Sequence, residues 1–426
     1  MVSIIIPVYN AWSFTEQCLV SLANATCDDV FEVIVVDNAS TDMTPSLCQA
    51  KGKELFSDRF FYLRQNENRN YSGANNIGVR HASGESILLL NNDTIVQDGW
   101  LQPLRSALES DQNRGAVGPL LLYPPDAEGM KRVQHAGVTV SLGKQVSHLY
   151  EFFPYPHPLL EKERTLQIIT GAALFMPRRL YLELGGLDER FVNGFEDVEF
   201  CVRLRRHGYN LCVIPESVIF HYGGQSAGRN RCEQDNSALC KALCANDLHI
   251  DEPRLFREDG YDPFLSPWLT LEAHLSPKRM LALSLMARGG LSALKKAVLN
   301  EPYWIDGAMA LARQQEACGA LKDAFETWLH ASRLRATPEV LIPFAHFLKK
   351  HTQNEALASV QEMLHSFRIT KENRLHELDI IQTEMRSADE ERLAAKAEKM
   401  KKENDHFFAT DYAALEACLE LSTTSS

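Results

Sequence analysis

The stretch Ser86-Ile-Leu-Leu-Leu-Asn-Asn-Asp-Thr94 joins an unbroken apolar run to two amides, a carboxylate and a hydroxyl. Such a run, with Gly84 before it, is typical of a strand that is covered on both faces, as in parallel sheets. Ligands of open parallel sheets bind beyond the carboxyl ends of the strands. Asp93 is therefore placed where chemistry is usually carried out, and Asn92 beside it offers a further oxygen ligand or hydrogen bond. A plain turn, which Asn and Asp also favour, is the alternative interpretation.

The N-terminal part of the chain repeats an apolar run, a polar loop and a helical pattern. Val2 to Val8 and Phe31 to Val36 are β-branched runs, and each leads through turn residues into apolar residues at helical spacing. A third run, Phe60 to Leu63, precedes a helical segment that begins at Asn70. Alternating strands and helices at this spacing imply right-handed crossovers. The predicted fold class is therefore α/β, with a Rossmann-like, mostly parallel sheet.

Composition and charge restrict the class of protein. The 426 residues are 45% hydrophobic and 23% charged, which predicts two or three globular domains. The formal net charge of −12 argues against nucleic acid as a partner, because phosphate backbones require clustered Lys and Arg. No segment reaches the roughly 18 apolar residues of a membrane span. We therefore expect a cytoplasmic protein, for which peripheral contact with the inner face of the membrane remains open.

One group of cysteines raises the question of zinc. Cys232, Cys240, Cys244 and His249 follow one another closely, but their spacing matches no familiar zinc motif. Cys240 and Cys244 lie one turn apart on a predicted helix. Buried small side chains are therefore the preferred interpretation, and a zinc site is the alternative.

The first loop, which begins at Pro7, lacks the glycine pattern that cradles a pyrophosphate. This absence argues against a nicotinamide site, although Asp37 stands where such folds place a ribose-binding acid. Without glycine-rich backbone amides, the charge of a diphosphate needs another partner, and a divalent ion held by Asp93 would serve. His221, directly after an apolar strand and before paired glycines, is a second candidate ligand. A structural, hydrogen-bonded histidine is the alternative.

The segment from Gly194 to Gly208 has the start and stop signals of a helix. Acids occupy its first turn, bases its last turn, and a glycine follows. Charge placement alone explains Glu196 and Asp197. A helix cap and a catalytic carboxylate are therefore both open interpretations of Asp197 at this point.

Seven short motifs occur in a fixed order along the first 230 or so residues: Ile6-Pro-Val-Tyr-Asn10, Val36-Asp-Asn-Ala-Ser-Thr-Asp42, Asn75-Asn-Ile-Gly78, Leu90-Asn-Asn-Asp-Thr94, Gly185-Gly-Leu-Asp-Glu189, Glu196-Asp197 and His221. Each motif alone is weak, but the ordered set is specific. It resembles the inverting family 2 type glycosyltransferases with the glycosyltransferase-A fold, especially their bacterial rhamnosyltransferase-like branch.

The resemblance implies a nucleoside-diphosphate sugar as donor and a hydroxyl of a glycan, lipid-linked glycan or protein as acceptor. It implies that Asp93 is the retained acid of the D-x-D metal motif and that His221 completes the shell of Mn2+ or Mg2+. Asp197, with Glu196 beside it, is then the catalytic base. Asn91 stands where the motif usually has its first acid, which leaves one negative charge fewer for the metal. The residues expected around the substrates are, on the donor side, Pro7, Val8, Tyr9, Asn10, Asp37, Asn38, Asn75, Asn92 and Asp93, and, on the acceptor side, Gly171 and Ala172.

The remainder of the chain reads as helical. We predict a catalytic domain over residues 1–250, a linker over 251–270, a tetratricopeptide-like helical domain over 271–370 and a helical extension over 371–426. A thin apolar stripe after Lys371 predicts a long helix in that extension.

The evidence for repeats is partial. Ala345 and Ala358 recur 34 residues after Leu311 and Ala324, but no aromatic stands near Gln315. Helical hairpins are predicted, and true tetratricopeptide repeats remain open. Such arrays form concave surfaces, so a protein partner or self-association is expected, with a packing module as the alternative.

Two functions from different classes therefore follow from the sequence. The first is a metal-dependent inverting glycosyltransferase with a helical C-terminal domain. The second is a catalytically silent glycosyltransferase-like scaffold that binds partners through its helices. Retention of both Asp93 and Asp197 favours the enzyme.

Overall fold

Every residue is buried in two long strands of the main sheet, β1 (Val2–Val8) and β2 (Phe31–Asp37). Their β-branched side chains suit a pleated surface that is covered on both faces. β1 pairs in parallel with β2 and with β4 (Ser86–Leu90), and β2 pairs in parallel with β3 (Phe60–Arg64). The predicted α/β class is confirmed, and the carboxyl ends of these four strands meet at one edge.

The sheet becomes mixed beyond β4. β12 (Ala173–Pro177) runs antiparallel to β4. β13 (Asn210–His221) pairs in parallel with β6 (Arg114–Tyr123) and antiparallel with β5 (Thr94–Val96). Since an antiparallel strand begins where its neighbour ends, β12 starts at the edge where β4 ends. By the same rule, the last residue of β13 lies beside the first residue of β5.

The computed structural model describes residues 1–25, 30–224 and 232–420. The chain divides into two units, of which the first comprises residues 1–139 and 146–248. Its other strands are β7 (Lys131–His135), β8 (Val138–Val140, with Val140 in the second unit), β9 (Val146–His148), β10 (Pro154–Tyr155) and β11 (Arg164–Leu166). Its helices are α1 (Trp12–Asn24), α2 (Thr44–Phe56), α3 (Asn70–His81), α4 (Leu101–Ser110), α5 (Arg178–Glu183), α6 (Glu196–Arg206) and α7 (Glu233–Cys244).

The second unit comprises residues 140–145 and the chain from His249 onward. Two short strands, β14 (Asp262–Leu265) and β15 (Leu271–His274), form a separate hairpin. The helices are α8 (Glu252–Glu258), α9 (Pro277–Met286), α10 (Leu291–Asn300), α11 (Ile305–Ala317), α12 (Leu321–Leu334), α13 (Pro338–Lys350), α14 (Asn354–His365), α15 (Lys371–Ser387), α16 (Glu391–Lys402), α17 (Asn404–Ala409) and α18 (Asp411–Glu420). In the described ranges, none of the helices is both long and apolar enough to cross a bilayer.

The segment 251–270, predicted as an ordered linker, is structured and belongs to the second unit. It contains α8 and β14, and Pro253, Leu255 and Phe256 are buried. Its Pro, acidic and aromatic content suggested this order. The buried aromatic and aliphatic side chains provide the core for a short helix.

The predicted helical hairpins are confirmed by α11 with α12 and by α13 with α14. Ala324 and Trp328 are buried in the core of this region. Gln315, where a repeat would have an aromatic, is buried and accepts a hydrogen bond from the Thr327 hydroxyl at 2.8 Å. Ala358 is exposed, so the second hairpin does not repeat the packing of Ala324. The 34-residue recurrence in the sequence is thus only partly matched by equivalent packing in the two hairpins.

The prediction of one long helix after Lys371 is wrong, because the segment folds back on itself between α15 and α16. Asp389 has a left-handed φ of 59°, and the amide of Glu390 donates to the carbonyl of Met385 at 2.7 Å. The fold-back lets the apolar stripes of the two helices cover each other. Their shared core includes Leu378, Ile381, Met385, Leu393, Ala397 and Met400.

Gly78 sets the distance between α3 and the sheet. A Cβ at this position would lie 2.4 Å from Cγ2 of Ile5 on β1 and 3.2 Å from Cγ2 of Val36 on β2. A contact of 2.4 Å is far inside the carbon–carbon optimum of about 3.5–4.0 Å. Glycine is therefore required by packing, despite its poor helix propensity.

We expect Gly78→Ala to lower the free energy of unfolding by about 1–3 kcal/mol, because the new methyl group overpacks against Ile5. Without that clash the same change would raise it by about 1 kcal/mol. Urea unfolding followed by circular dichroism measures the sign. Ile5→Ala removes the clashing Cγ2, so the double variant should lose less than the sum of the two single losses. Strict additivity, or a gain from Gly78→Ala alone, would contradict this account of α3.

Candidate active site

A cavity of about 560 Å³ opens at the edge where the parallel strands end. It draws its lining from several loops of the first unit that lie far apart in sequence. Most residues predicted for a site are brought together here: Pro7, Val8, Tyr9, Asn38, Asn92, Asp93, Gly171, Ala172, Glu196, Asp197 and His221. Asn10, Asp37 and Asn75, also predicted, do not line it.

Asp93 and His221 meet because β13 ends beside β5. The Nε2 atom of His221 lies 3.1 Å from Oδ1 of Asp93, and the two side chains are 8% and 9% exposed. Burial acts to raise the pKa of the Asp93 carboxyl, but the hydrogen bond and charge of His221, with backbone amides, outweigh it, and the pKa is lowered. Asp93 is therefore a buried carboxylate that stays ionised.

Gln134 on β7 fixes the orientation of the His221 ring. Its amide nitrogen donates to the His221 carbonyl at 3.0 Å, so its Oε1 faces the ring, 2.5 Å from Nδ1. Nδ1 must therefore carry the proton, because Oε1 can only accept. In the neutral ring this leaves the lone pair on Nε2, 3.2 Å from Nδ2 of Asn91, whereas the hydrogen bond to Asp93 requires a proton on Nε2 as well, a place that a cation could take. A histidine held in one tautomer by a neighbouring acceptor is typical of a metal ligand.

The chemistry of this pair fits a divalent cation that is bound together with a substrate. Within residues 1–25, 30–224 and 232–420, no three His, Cys, Asp or Glu side chains are grouped so as to hold a metal ion. Asp93 and His221 would supply two of its ligands. Ions such as Mg2+ are commonly held by one or two carboxylates, with substrate phosphates and water filling the remaining positions. A cation held by this pair would therefore need further ligands, such as a substrate phosphate and water.

Asp197 is the second residue of α6 and does not cap it. The cap position is Phe195, which has a left-handed φ of 68° and makes no capping side-chain bond. The Asp197 carboxylate instead accepts from the amide of Gly171 through Oδ2 at 2.8 Å and from that of Val198 through Oδ1 at 2.9 Å. The interpretation of Asp197 as the helix cap is therefore wrong. Each oxygen keeps a further lone pair for a proton.

Tyr71 on α3 holds the same peptide segment from the other side. Its hydroxyl donates to the Gly171 carbonyl at 2.5 Å. Burial raises the pKa of Tyr71 well above its usual value, and the charges of Glu196 and Asp197 raise it further, so the phenol remains a donor. A Cβ on Gly171 would lie 3.2 Å from Cβ of Asp197 and 3.4 Å from the Tyr71 oxygen. Gly171 thus lies between two side chains with little space for a substituent.

Asp37 lies behind the cavity wall, where its carboxylate is already engaged. It accepts from the Tyr62 hydroxyl at 2.5 Å, the Arg64 guanidinium at 3.1 Å and the Ser40 amide at 2.8 Å. Its neighbour Asn38 lines the cavity, and the amide of Asn38 donates to the Val8 carbonyl at 2.8 Å. In this structure Asp37 orders the loop that presents Asn38. Its contact with a nucleotide stays a prediction.

Asn10 and Asn75 are likewise held within the protein. The amide of Asn10 donates to the Ser40 hydroxyl at 2.8 Å, and its side-chain oxygen accepts from the Thr41 amide at 2.8 Å. Asn75 donates to the Tyr71 carbonyl at 3.0 Å, and its buried Oδ1 has no partner among the residues that the structure describes. Both residues shape elements that line the cavity.

The three cysteines and the histidine that were weighed as an alternative zinc site are not gathered into one among the described residues. Cys240 and Cys244 lie one turn apart and buried on α7. The hydrogen bond that the Cys240 thiol donates to Cys244, together with burial, raises the pKa of Cys240. A protonated, buried thiol behaves as a small apolar group.

Several cavity residues were not found from the sequence. His148 lines the cavity, and its Nδ1 lies 2.9 Å from Nδ1 of buried His135. Burial lowers the pKa of His135 well below its usual value, so that ring is neutral. The two histidines lie on neighbouring short strands without any recognisable motif. The other cavity residues that were not predicted include Phe14, Asn70, Tyr71, Tyr123, Gln134, Glu151, Thr170, Asn193 and Tyr222.

Comparisons with known proteins bear on the same half of the chain. The O-antigen biosynthesis protein RfbC of Myxococcus xanthus is 31% identical over 279 residues, which is 64% of this chain and 20% of RfbC. This chain thus spans about a fifth of that relative. The N-acetylglucosaminyl-diphospho-decaprenol L-rhamnosyltransferase of Mycobacterium tuberculosis is 28% identical over 239 residues, covering 52% of this chain and 76% of that protein.

A solved structure, the mannosyltransferase PcManGT from Pyrobaculum calidifontis in complex with GDP-Man and Mn2+, aligns with a TM-score of 0.43 at 21% identity, covering 71% of this chain and 81% of that one. Residues 3–185 match the family model described as glycosyl transferase family 2. The match to this family is confined to residues 3–185, the part of the chain that holds most of the ordered motifs.

Proposed function

We propose that this chain is a metal-dependent inverting glycosyltransferase that moves a hexosyl or deoxyhexosyl group from a nucleoside-diphosphate sugar to a hydroxyl. One observation carries the proposal: a single cavity is lined both by the Asp93–His221 pair and by the Asp197 carboxylate. A cation site and a general base around one cavity match what displacement of a diphosphate by a hydroxyl requires.

In the proposed reaction Asp197 accepts the proton of the acceptor hydroxyl. The hydroxyl oxygen forms a bond to the anomeric carbon while the bond from that carbon to the diphosphate oxygen breaks. A single displacement inverts the anomeric configuration. Mn2+ or Mg2+, held by Asp93 and His221, would neutralise charge on the departing diphosphate. The bonds from Gly171 and Val198 orient the Asp197 carboxylate without using all of its lone pairs.

The names of the relatives favour a glycan acceptor. RfbC is named for O-antigen biosynthesis, and the mycobacterial relative is named for rhamnosyl transfer to a decaprenol-linked sugar. For this chain we therefore propose an acceptor sugar carried on a lipid diphosphate, ahead of a protein acceptor. A scaffold without catalysis is the competing function, and the experiments below distinguish the two.

Asp197→Asn is expected to reduce transfer by at least about 100-fold while donor affinity changes little, because Asn cannot accept the proton. Asn retains one acceptor oxygen, so one of the two backbone bonds is kept and the melting temperature should fall only slightly. Transfer is measured by release of nucleoside diphosphate at saturating donor. Tyr71→Phe is the matched control, since it weakens the hold on Gly171 but leaves the base in place.

A smaller loss in Tyr71→Phe than in Asp197→Asn supports a chemical role for Asp197. Equal losses would mean that both side chains only position Gly171. Near wild-type transfer by Asp197→Asn would overturn the assignment. A wild-type protein whose melting temperature responds to no nucleotide sugar, with or without Mn2+, would favour the scaffold.

Asp93→Asn should weaken binding of a nucleoside diphosphate in Mn2+ but change little in a chelator, because the isosteric amide removes only the charge that holds the ion. Titration calorimetry in both conditions measures the difference. Gln134→Leu removes the acceptor that orients His221 and should lower metal affinity by about 10- to 100-fold. Equal losses for Asp93→Asn with metal and with chelator would show that Asp93 does not act through an ion.

A further inference from the structure

Helix α9 of the second unit presents an apolar side to solvent. Leu283 is its only buried residue, whereas Leu281, Leu285 and Met286 are 62%, 48% and 55% exposed. Leu281 and Leu285 are one turn apart and therefore neighbours on the helix surface, away from Leu283. An ordinary surface helix turns its polar side outward and its apolar side toward the core. On α9, by contrast, large apolar side chains face outward.

The exposed apolar side chains are concentrated at this place. Sixteen large hydrophobic residues are exposed in the described part of the chain, and five of them fall between Met280 and Leu291. Scattered single apolar residues are normal on a protein surface, but a cluster marks an interaction site. We call Met280, Leu281, Leu285, Met286 and Leu291 the α9 cluster.

The charge around the α9 cluster has one sign. Residues 275–300 contain five Lys and Arg and neither Asp nor Glu, in a chain whose formal net charge is −12. Arg279 pairs with Glu301 and lies over the Tyr261 ring. The other four, Lys278, Arg288, Lys295 and Lys296, are exposed and take part in no ion pair among the described residues. The α9 cluster is therefore accompanied by four cations that are not neutralised.

We propose that α9 and α10 dock this chain on an anionic lipid surface. In that arrangement the α9 cluster enters the boundary between headgroups and acyl chains, and the four cations contact anionic headgroups. Helices that lie in the membrane interface combine an apolar side with Lys and Arg residues. At 10 residues, α9 is too short to cross a bilayer. Clustered basic residues are attracted to anionic lipid surfaces. The inference does not rest on the proposed transfer reaction.

The charge also argues against a second copy of this chain as the occupant. A symmetric interface brings the same patch of both copies together, so four cations would face four cations. Like charges placed opposite each other disfavour association. An anionic bilayer satisfies both the apolar side chains and the cations at once.

Flotation of the full chain with vesicles tests the proposal. Wild type should bind vesicles that contain phosphatidylglycerol more strongly than pure phosphatidylcholine vesicles, and rising salt should weaken the binding. Leu281→Ser/Leu285→Ser, which leaves the charge unchanged, should lower the partition coefficient by at least about 10-fold because two apolar side chains no longer insert. Leu375→Ser/Ile380→Ser is the matched control, since both residues are exposed on α15.

A second pair of variants tests the electrostatic part. Lys295→Gln/Lys296→Gln should remove most of the preference for phosphatidylglycerol, whereas Lys399→Gln/Lys402→Gln, also exposed in the second unit on α16, should not. All substituted residues are at the surface, so unchanged melting temperatures are expected.

Three results would overturn the proposal. Wild type that does not float with anionic vesicles is the first. The second is equal binding by Leu281→Ser/Leu285→Ser and wild type. The third is a lipid-free dimer, seen by light scattering, that this same double variant converts to monomer, which would identify the α9 cluster as an interface between copies.

Discussion

The candidate site depends on the insertion of an antiparallel strand into an otherwise parallel half-sheet. β12 pairs with β4 so that Ala173 lies opposite Leu90, and the amide of Asn91 donates to the Ala172 carbonyl at 2.9 Å. This register joins the loop that enters β12 to the turn that follows β4. Gly171 therefore lies at the edge that also carries Asp93. A shift of one residue would turn every side chain of β12 to the opposite face of the sheet.

Some motifs that resemble the glycosyltransferase family hold the fold and do not line the cavity. Asn76 on α3 donates to the Leu187 carbonyl at 2.9 Å and to Glu189 at 3.0 Å, and its oxygen accepts from the Leu187 amide and the Tyr181 hydroxyl. Gly186 approaches this amide so closely that a Cβ would lie 2.3 Å from its oxygen. Two segments more than 100 residues apart are thus joined through one buried side chain. The motifs that contain Asn76 and Gly186 therefore have a structural role in this chain.

The parts of the fold and of the candidate site that could be predicted are those that local sequence patterns encode. The β-branched runs of β1 and β2 fixed the parallel half-sheet, and the polar end of β4 correctly placed Asp93 at its edge. Gln134 and Tyr71 were missed, because their roles depend on partners about 90 to 100 residues away, which no local pattern encodes. The fold-back at Asp389 was missed for a similar reason. Its left-handed conformation is stabilised by helix packing, whereas the sequence there reads as continuous helix.

On the surface of the second unit, too, a local property differs from that of the whole chain, and here the property is charge. A net charge of −12 alone would predict repulsion from an anionic membrane. Charges separated by more than about 10 Å are largely screened at 0.1 M salt, so a surface experiences mainly the charges that approach it. Between residues 275 and 300 those charges are all positive. The exposed leucines of α9 lie in this same segment, so hydrophobic and electrostatic attraction would act at one place. The negative whole-chain charge therefore does not argue against the proposed docking on an anionic membrane, because the sign of the local charge is reversed where the apolar side chains are exposed.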